Sequence, residues 1–365
     1  MKPKPHPHLL DLEPYKPGRP IEEVERELGL SGTIKLASNE NPLGPSPRAV
    51  AALRAAADRV HFYPESGGPE LVAKLARKLG IDRSMIALGN GSNELIELLA
   101  RSFAGPDDEI VMSADAFVVY KLVARAIRAR AVAVSARNGH HDLAAMAAAV
   151  GPRTRLVFLA NPNNPTGTIF RRADWERFIG RIPPEITVVV DQAYCEYVDD
   201  ESYPSLLGEL AERPALVLLR TFSKIYGLAG LRIGYALGDP DVISVLARLR
   251  QPFNVNSLAQ VAATAALDDD EHVQRSRKVN SETRRALASG LDALGLPYLP
   301  SQANFVLVEV GDGAAVTAAM LRQGVIVRPM DAYGMPTKIR ITCGTADQND
   351  RALAALAEAV HGVRR

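Results

Sequence analysis

The sequence predicts an α/β fold with a mainly parallel central sheet, followed by a smaller α+β domain. Short apolar, β-branched runs alternate with amphipathic stretches up to about residue 250, as in parallel sheets whose strands are joined by helices. After Asn254 the pattern changes to long helical runs and then to a shorter mixture of strands and helices. The length of 365 residues suits two domains of ordinary size.

The elements of the large domain follow from these runs. Strands are predicted at Asp108–Met112, Ala131–Val134, Arg155–Leu159, Thr187–Val190, Leu216–Leu219 and Arg232–Ala236. Helices are predicted at Asn93–Phe103, Val118–Arg128, Asp142–Val150 and Ala173–Gly180. The first twenty residues contain six prolines, which predicts an extended, irregular arm that lies on another subunit.

The smaller domain is predicted from the remainder of the chain. A helical run through Ala266 precedes a charged helix at Asp268–Leu294. Strands are then predicted at Ala303–Glu309, Val325–Pro329 and Lys338–Thr342, with helices at Ala314–Gln323 and Asn349–Val360. The predicted division is an arm with part of the small domain at 1–40, a large domain at 41–265 and a small domain at 266–365. A ligand would lie in the cleft between the two domains.

Composition excludes several classes of partner. Lys and Arg total 43 and Asp and Glu total 42, so the broad basic surface of nucleic-acid and anionic-membrane binders is not expected. The longest apolar stretches fall short of the about 18 residues that span a bilayer. Cys195 and Cys343 lie far apart without a C-x-x-C partner, which predicts neither a disulfide framework nor a metal site and suits a reducing cytoplasm. A small-molecule substrate is therefore expected.

Polar and glycine-rich segments follow three of the predicted strands. They are Asn161–Gly167, Asp191–Tyr194 and Thr221–Tyr235. Taken alone, the first is typical of a turn, an aspartate after a strand is typical of a helix cap, and an isolated lysine is typical of the surface. Because ligands bind at the carboxyl ends of strands in open α/β sheets, we expect one shared crevice to hold Asn164, Asp191, Tyr194, Ser223, Lys224 and Arg232.

These side chains match what pyridoxal phosphate needs from a protein. A lysine binds its aldehyde, and an acid keeps its pyridinium nitrogen charged. Lys224 would form the Schiff base, and Asp191 would pair with the ring nitrogen. Tyr194 and Asn164 would hydrogen-bond the phenolate oxygen and favour its anion. Phe117, which begins the helix after a strand, is placed to stack on the ring.

The phosphate of this cofactor also needs a binding site. Ser223 and Arg232 suit it, and the segment Gly89–Glu94 precedes a predicted helix whose first N–H groups, at Ser92 and Asn93, would bind an anion. A glycine-rich helix start is by itself common, and either residue could be a simple N-cap. The segment does not match the dinucleotide pattern G-x-G-x-x-G, because a glutamate occupies the last position, which argues against a nicotinamide dehydrogenase.

The whole set resembles the fold type I pyridoxal-phosphate aminotransferases and, within them, the histidinol-phosphate aminotransferase family. The motifs that carry the resemblance are Lys35–Gly44, Asn164, Asp191 with Tyr194, Ser223-Lys224 to Arg232, and Ile339–Thr345. The resemblance implies a reaction between an amino donor, histidinol phosphate, and the acceptor 2-oxoglutarate. It also implies a homodimer in which Tyr63 reaches the partner subunit's cofactor phosphate.

The resemblance further implies that Arg340 binds the anionic group of the substrate. The residue type supports this, because a guanidinium matches a carboxylate or phosphate with two parallel hydrogen bonds. It lies on a predicted strand of the small domain. Arg328 and Tyr15 are further candidates for substrate contact.

Two positions depart from the pattern of the family. Gln192 stands where glutamate is usual after the aspartate, and Ala116 stands where Thr or Ser is frequent before the stacking aromatic residue. Aromatic amino-acid aminotransferases and threonine-phosphate decarboxylases resemble this chain in nearly all the same motifs, so both stay open as alternatives. A non-catalytic pyridoxal-phosphate-binding module of a transcription regulator is a remote alternative, because the near-zero net charge argues against DNA binding.

Overall fold

The structure is a computed structural model that describes residues 3–10, 12, 14 and 17–363. Its helices are α1 (Pro7–Leu10), α2 (Ile21–Leu28), α3 (Pro47–Ala56), α4 (Pro69–Leu79), α5 (Ser92–Phe103), α6 (Val119–Ala126), α7 (Leu143–Ala148), α8 (Arg172–Ile179), α9 (Pro240–Leu249), α10 (Ser257–Ala266), α11 (Asp270–Ala293), α12 (Gly313–Arg322) and α13 (Ala346–Val363). Its strands are β1 (Ile34–Lys35), β2 (Ile86–Gly89), β3 (Glu109–Ser113), β4 (Arg130–Val134), β5 (Thr154–Ala160), β6 (Thr187–Asp191), β7 (Leu216–Thr221), β8 (Gly234–Gly238), β9 (Tyr298–Leu299), β10 (Phe305–Glu309), β11 (Val325–Ile326), β12 (Arg328–Pro329) and β13 (Lys338–Thr342).

The central sheet has seven strands within the described residues, in the order β2-β8-β7-β6-β5-β3-β4. The strands β3 to β7 pair in parallel, whereas β8 is antiparallel to both of its neighbours. The predicted α/β fold with a mainly parallel sheet is confirmed. The predicted start of a strand at Arg232 is wrong, because this residue has a left-handed backbone (φ 57°) and the strand begins at Gly234.

Two apolar cores cover the faces of this sheet. One packs α5, α6 and α9 against it around Leu95, Phe158 and Leu246. The other packs α7, α8 and α10 against the opposite face around Trp175 and Leu218. Strand β6 is buried along its whole length, as expected for a parallel strand covered on both sides. Its last residue, an aspartate, is therefore held rigidly at the carboxyl edge of the sheet.

A smaller antiparallel sheet has the order β12-β13-β10-β9 and packs against α11, α12 and α13. The predicted single strand at Val325–Pro329 is wrong, because the chain changes partners at Val327. Strand β11 pairs in parallel with β1, whereas β12 pairs with β13. Residues 34–35 thus lie beside the C-terminal elements. The proposed domain division at residues 40 and 265 stays a prediction.

The N-terminal arm is not irregular throughout. Residues Pro7–Leu10 form one helical turn against α6, which proline allows because it stands at the first helical position. No helix among the described residues is both long and apolar enough to cross a membrane.

Candidate active site

A cavity of about 160 Å³ lies at the carboxyl edge of the central sheet, between the start of α5 and the small sheet. Ten of the side chains predicted from the sequence line it: Ser92, Asn93, Phe117, Asn164, Asp191, Tyr194, Ser223, Lys224, Arg232 and Arg340. The ends of β5, β6 and β7 supply several of them, because carboxyl ends of neighbouring parallel strands meet at one edge of a sheet.

Lys224 follows β7 and projects its amino group into this cavity. Its Nζ donates a hydrogen bond to the carbonyl oxygen of Ser38 (3.2 Å) and lies 5.6 Å from the ring centroid of Tyr194. Burial lowers the pKa of the Lys224 amine from 10.5 to about 8, and the positive charge of Arg340 lowers it further in the same direction. A partly buried, weakly basic amine of this kind is suited to attack an aldehyde.

Asp191 ends β6 with both carboxylate oxygens engaged. One accepts a hydrogen bond from the Tyr120 hydroxyl (2.9 Å) and the other accepts one from the backbone N–H of Ala193 (3.1 Å). Burial raises the pKa of Asp191 from 3.8 to about 6, and the two hydrogen bonds oppose this shift. The group remains an anion at neutral pH and can hold a positive charge in the cavity.

The phenol of Tyr194 is held by an asparagine from outside the central sheet. The side-chain amide of Asn39 donates a hydrogen bond to the phenolic oxygen of Tyr194 (2.9 Å). Burial raises the pKa of Tyr194, so this phenol stays protonated and acts as a hydrogen-bond donor.

The opposite end of the cavity is built to bind an anion. Helix α5 begins at Ser92 without a side-chain cap, which leaves the N–H groups of its first turn for a ligand. A Cβ atom at Gly91 would lie 2.7 Å from a guanidinium nitrogen of Arg232, so any larger residue would displace this guanidinium. The hydroxyl of Ser223 lies on the same cavity wall.

The donor set therefore fits pyridoxal phosphate. An amine, the uncapped start of a helix and a buried carboxylate line one cavity, and Phe117 adds an aromatic residue to its wall. No group of three or more potential metal-ligating side chains occurs in the part of the chain that the structure describes.

Arg340 closes the cavity from β13 of the small sheet and is 5% exposed. Its guanidinium donates one hydrogen bond to the carbonyl oxygen of Ala37 (2.8 Å) and another to the side-chain oxygen of Asn164. It also lies over the Phe305 ring at 5.1 Å. A buried guanidinium facing an amine is a strong site for a substrate anion.

Two predicted site residues that the structure describes, Tyr63 and Arg328, are not part of this cavity wall. Tyr63 is 82% exposed and stacks on Phe253, with ring centroids 4.6 Å apart. Arg328 is buried on β12, opposite Arg340 in register, but is not part of the cavity wall. Tyr15 lies outside the described residues.

Sequence reasoning missed other residues of the wall. Tyr120 lies in the first turn of α6, three residues after Phe117, which precedes this helix, and a spacing of three residues next to a predicted ring-stacking residue is a signal for a shared side. Ser38 and Asn39 lie within the Lys35–Gly44 motif, which indicates the family but predicts no role in the site for either residue. Tyr333 comes from a short turn after β12, and nothing in its local sequence indicates a site.

The two positions that depart from the family pattern lie behind the cavity. Gln192 is buried, and its side-chain oxygen accepts a hydrogen bond from Nε of Arg220 (3.1 Å). Ala116 is buried in the core against α5 and α6. Neither side chain is part of the cavity wall.

Comparison with known proteins gives a consistent set of relatives. The sequence profile of the aminotransferase class I and II family matches residues 31–356. A histidinol-phosphate aminotransferase of Moorella thermoacetica is 51% identical over 358 residues, which is 98% of this chain and 93% of the relative. A histidinol-phosphate aminotransferase 2 of Pseudomonas aeruginosa is 49% identical over 353 residues, which is 96% of each chain.

Solved structures agree on the fold. The histidinol-phosphate aminotransferase of Sinorhizobium meliloti, solved in complex with pyridoxal-5'-phosphate, has a TM-score of 0.89 at 29% identity and covers 100% of this chain and 99% of its own. An aspartate aminotransferase of Thermus thermophilus has a TM-score of 0.84 at 22% identity, with 98% and 100% of the two chains covered, and is similar in fold.

Proposed function

The chain belongs to the class I and II aminotransferase family, and we propose that it transfers an amino group between histidinol phosphate and 2-oxoglutarate. The products are imidazole acetol phosphate and glutamate, and the reaction is a step of histidine biosynthesis. The membership confirms the sequence prediction of an aminotransferase of fold type I, whose cofactor is pyridoxal phosphate.

The observation that carries this proposal is the buried cavity in which Lys224 lies with Asp191 and Arg340. When bound, pyridoxal phosphate supplies an aldehyde for the amino group and a ring that takes up electrons. Lys224 Nζ moves a proton to and from the substrate carbon that bears the amino group. The carboxylate of Asp191 holds the proton on the ring nitrogen, and the first turn of α5 with Ser223 and Arg232 binds the phosphate.

Arg340 serves the anion of each substrate in turn. Histidinol phosphate carries a phosphate and no carboxylate, whereas glutamate offers carboxylates. One planar guanidinium can donate two hydrogen bonds to either oxyanion. Arg328 and Tyr15 stay proposed as further substrate contacts.

The test is a comparison of kcat/KM for histidinol phosphate, phenylalanine and threonine phosphate, each with product identification. We expect histidinol phosphate to be preferred by at least about tenfold, which corresponds to about 1.4 kcal/mol of transition-state stabilisation. A similar preference for phenylalanine would make the protein an aromatic amino-acid aminotransferase. Release of carbon dioxide from threonine phosphate would make it a decarboxylase.

We also propose that the protein is a homodimer that completes each site with Tyr63 of the other subunit. The patch formed by Val60, Phe62, Tyr63 and Phe253 supports this, because these side chains are between 44% and 82% exposed. A contiguous exposed apolar patch is typical of a subunit interface.

We propose the cytoplasm as the compartment of this enzyme. Cys195 and Cys343 are both free thiols, as a reducing compartment would keep them.

A further inference from the structure

Every polar group of Asn39 takes part in a hydrogen bond. Its backbone N–H donates to the hydroxyl oxygen of Thr342 (3.0 Å), and its backbone oxygen accepts from the side-chain amide of Asn304 (3.1 Å). Its side-chain oxygen accepts from the hydroxyl of Thr342 (3.2 Å), and its side-chain nitrogen donates to the phenol of Tyr194 (2.9 Å). The residue is 1% exposed and has a left-handed backbone (φ 56°), a conformation that asparagine tolerates better than most residues.

In this series of hydrogen bonds, the donor and the acceptor of each bond follow from the bond between the Asn39 backbone and Thr342. A backbone N–H can only donate, so the hydroxyl oxygen of Thr342 accepts from Asn39 and must place its own proton elsewhere. The acceptor it finds is the side-chain oxygen of Asn39. If the amide were rotated by 180°, the hydroxyl oxygen of Thr342 would face two donors, and its buried proton would lose this acceptor.

The amide nitrogen of Asn39 therefore faces Tyr194. Since this nitrogen is only a donor, the phenolic oxygen of Tyr194 accepts, and its own proton is left to point away from Asn39. No acceptor for that proton is found within the described residues, and the ring of Tyr194 lines the cavity beside Lys224.

We propose that Thr342 and Asn39 are positioning residues that orient the hydroxyl proton of Tyr194 toward the ring oxygen of the bound cofactor. The proposal rests on the proposed function, because it requires pyridoxal phosphate at Lys224. It assigns to a threonine of the small sheet a role in the electronics of a cofactor that it does not touch.

This orientation has a measurable electrostatic consequence. A hydrogen bond donated to the ring oxygen stabilises its negative charge and weakens its attraction for a proton on the Lys224 nitrogen. The pKa of that nitrogen in the loaded enzyme is therefore lower than it would be without the bond. Loss of the Thr342 hydroxyl lets the Asn39 amide rotate and accept the phenolic proton of Tyr194, which removes the bond to the cofactor.

The test is a spectrophotometric pH titration of the bound cofactor in the purified holoenzyme. Thr342→Val keeps the shape of threonine without its hydroxyl and is expected to raise the titration midpoint by about half a pKa unit or more. Thr342→Ser keeps the hydroxyl and is expected to titrate like the wild type. Tyr194→Phe is expected to shift the midpoint in the same direction as Thr342→Val. If Thr342→Val fails to fold, Thr342→Ala makes the same comparison.

A double variant separates orientation from a general structural effect. In the Tyr194→Phe background, Thr342→Val is expected to cause no additional shift, because the group through which it acts is gone. An equal shift in both backgrounds, an unchanged midpoint in Thr342→Val and Thr342→Ala, or a shift in Thr342→Ser would overturn the inference. A wild-type protein that binds no pyridoxal phosphate would instead overturn the proposed function, and this inference with it.

Discussion

Lys224 combines burial with a nearby positive charge. Burial disfavours the ammonium form, the guanidinium of Arg340 disfavours it further, and the carboxylate of Glu40 opposes them both. The resulting pKa of about 8 leaves a much larger neutral fraction at physiological pH than an exposed lysine has. The neutral amine is the form that attacks an aldehyde.

We predict that apoenzyme captures pyridoxal phosphate at a rate that rises with pH through about 8. The neutral amine accumulates as pH passes this pKa, so the midpoint lies below the 10.5 of an ordinary lysine. Stopped-flow absorbance at a series of pH values measures the rate, with Nα-acetyl-lysine as the control for ionisation of the cofactor itself. Arg340→Gln should move the midpoint upward, and a midpoint near 10.5 in both proteins would contradict the assignment.

Among single residues, the sequence predicts the place in the cavity of those that directly follow a strand. Lys224 and Asp191 were predictable because parallel strands bring their carboxyl ends to one edge, whatever the rest of the chain does. Tyr333 was not, because it reaches the cavity from a short turn whose orientation depends on tertiary packing. The hydrogen bond between Arg340 and Asn164 joins residues 176 positions apart, and local sequence carries no sign of it.

At the scale of elements, the turn between β2 and α5 determines the geometry of the anion end. Gly91 has a positive φ (75°) and lies against the guanidinium of Arg232. That arginine is itself left-handed (φ 57°), which turns its chain toward the start of α5 before β8 begins. Two turns with positive φ thus meet around the proposed phosphate position.

We predict that Gly91→Ala raises the dissociation constant of pyridoxal phosphate by at least about tenfold. The added Cβ would lie 2.7 Å from the Arg232 guanidinium, and the backbone angles of this position (φ 75°, ψ 166°) are ones that essentially only glycine adopts. Gly230→Ala is the matched control, because a Cβ there meets nothing within 4 Å. Fluorescence or absorbance titration of the apoproteins measures both constants, and equal affinities for the two variants would refute this geometry.

Element types were more predictable than their boundaries. The buried strands of the central sheet are recognisable in the sequence from their continuous apolar residues, as at Thr187–Asp191. The division of Val325–Pro329 into two strands was not predictable, because the partner of its first half is Ile34–Lys35, nearly three hundred residues earlier in the chain.

At the scale of the whole molecule, the exposed aromatic patch lies outside the cavity that it is proposed to complete. Phe62 is 60% exposed and Tyr63 is 82% exposed. A single chain gains nothing from presenting such rings to water, whereas a second copy would bury them.

We predict that Phe62→Asp shifts the protein toward monomers and weakens cofactor binding at the same time. A buried carboxylate opposes association, and separated subunits lose the contact from Tyr63 of the other subunit. Light scattering should give twice the 39.3 kDa chain mass for the wild type and a lower mass for the variant. Val363→Asp, at an exposed apolar position on α13, is the control and should stay dimeric. Fully active wild-type monomers would refute the shared site.

Strand β13 carries both Arg340 and Thr342, two positions apart and hence on the same face. It is held in register by β10, where Leu307 faces the arginine and Phe305 faces the threonine. Any attempt to redesign substrate choice by exchanging this strand must therefore keep its residue count. A single residue inserted before Arg340 would invert the alternation, turn Arg340 away from the cavity and separate Thr342 from Asn39. The proposed residues for substrate binding and for cofactor tuning thus lie on one strand. Only point substitutions can change one of these properties without the other.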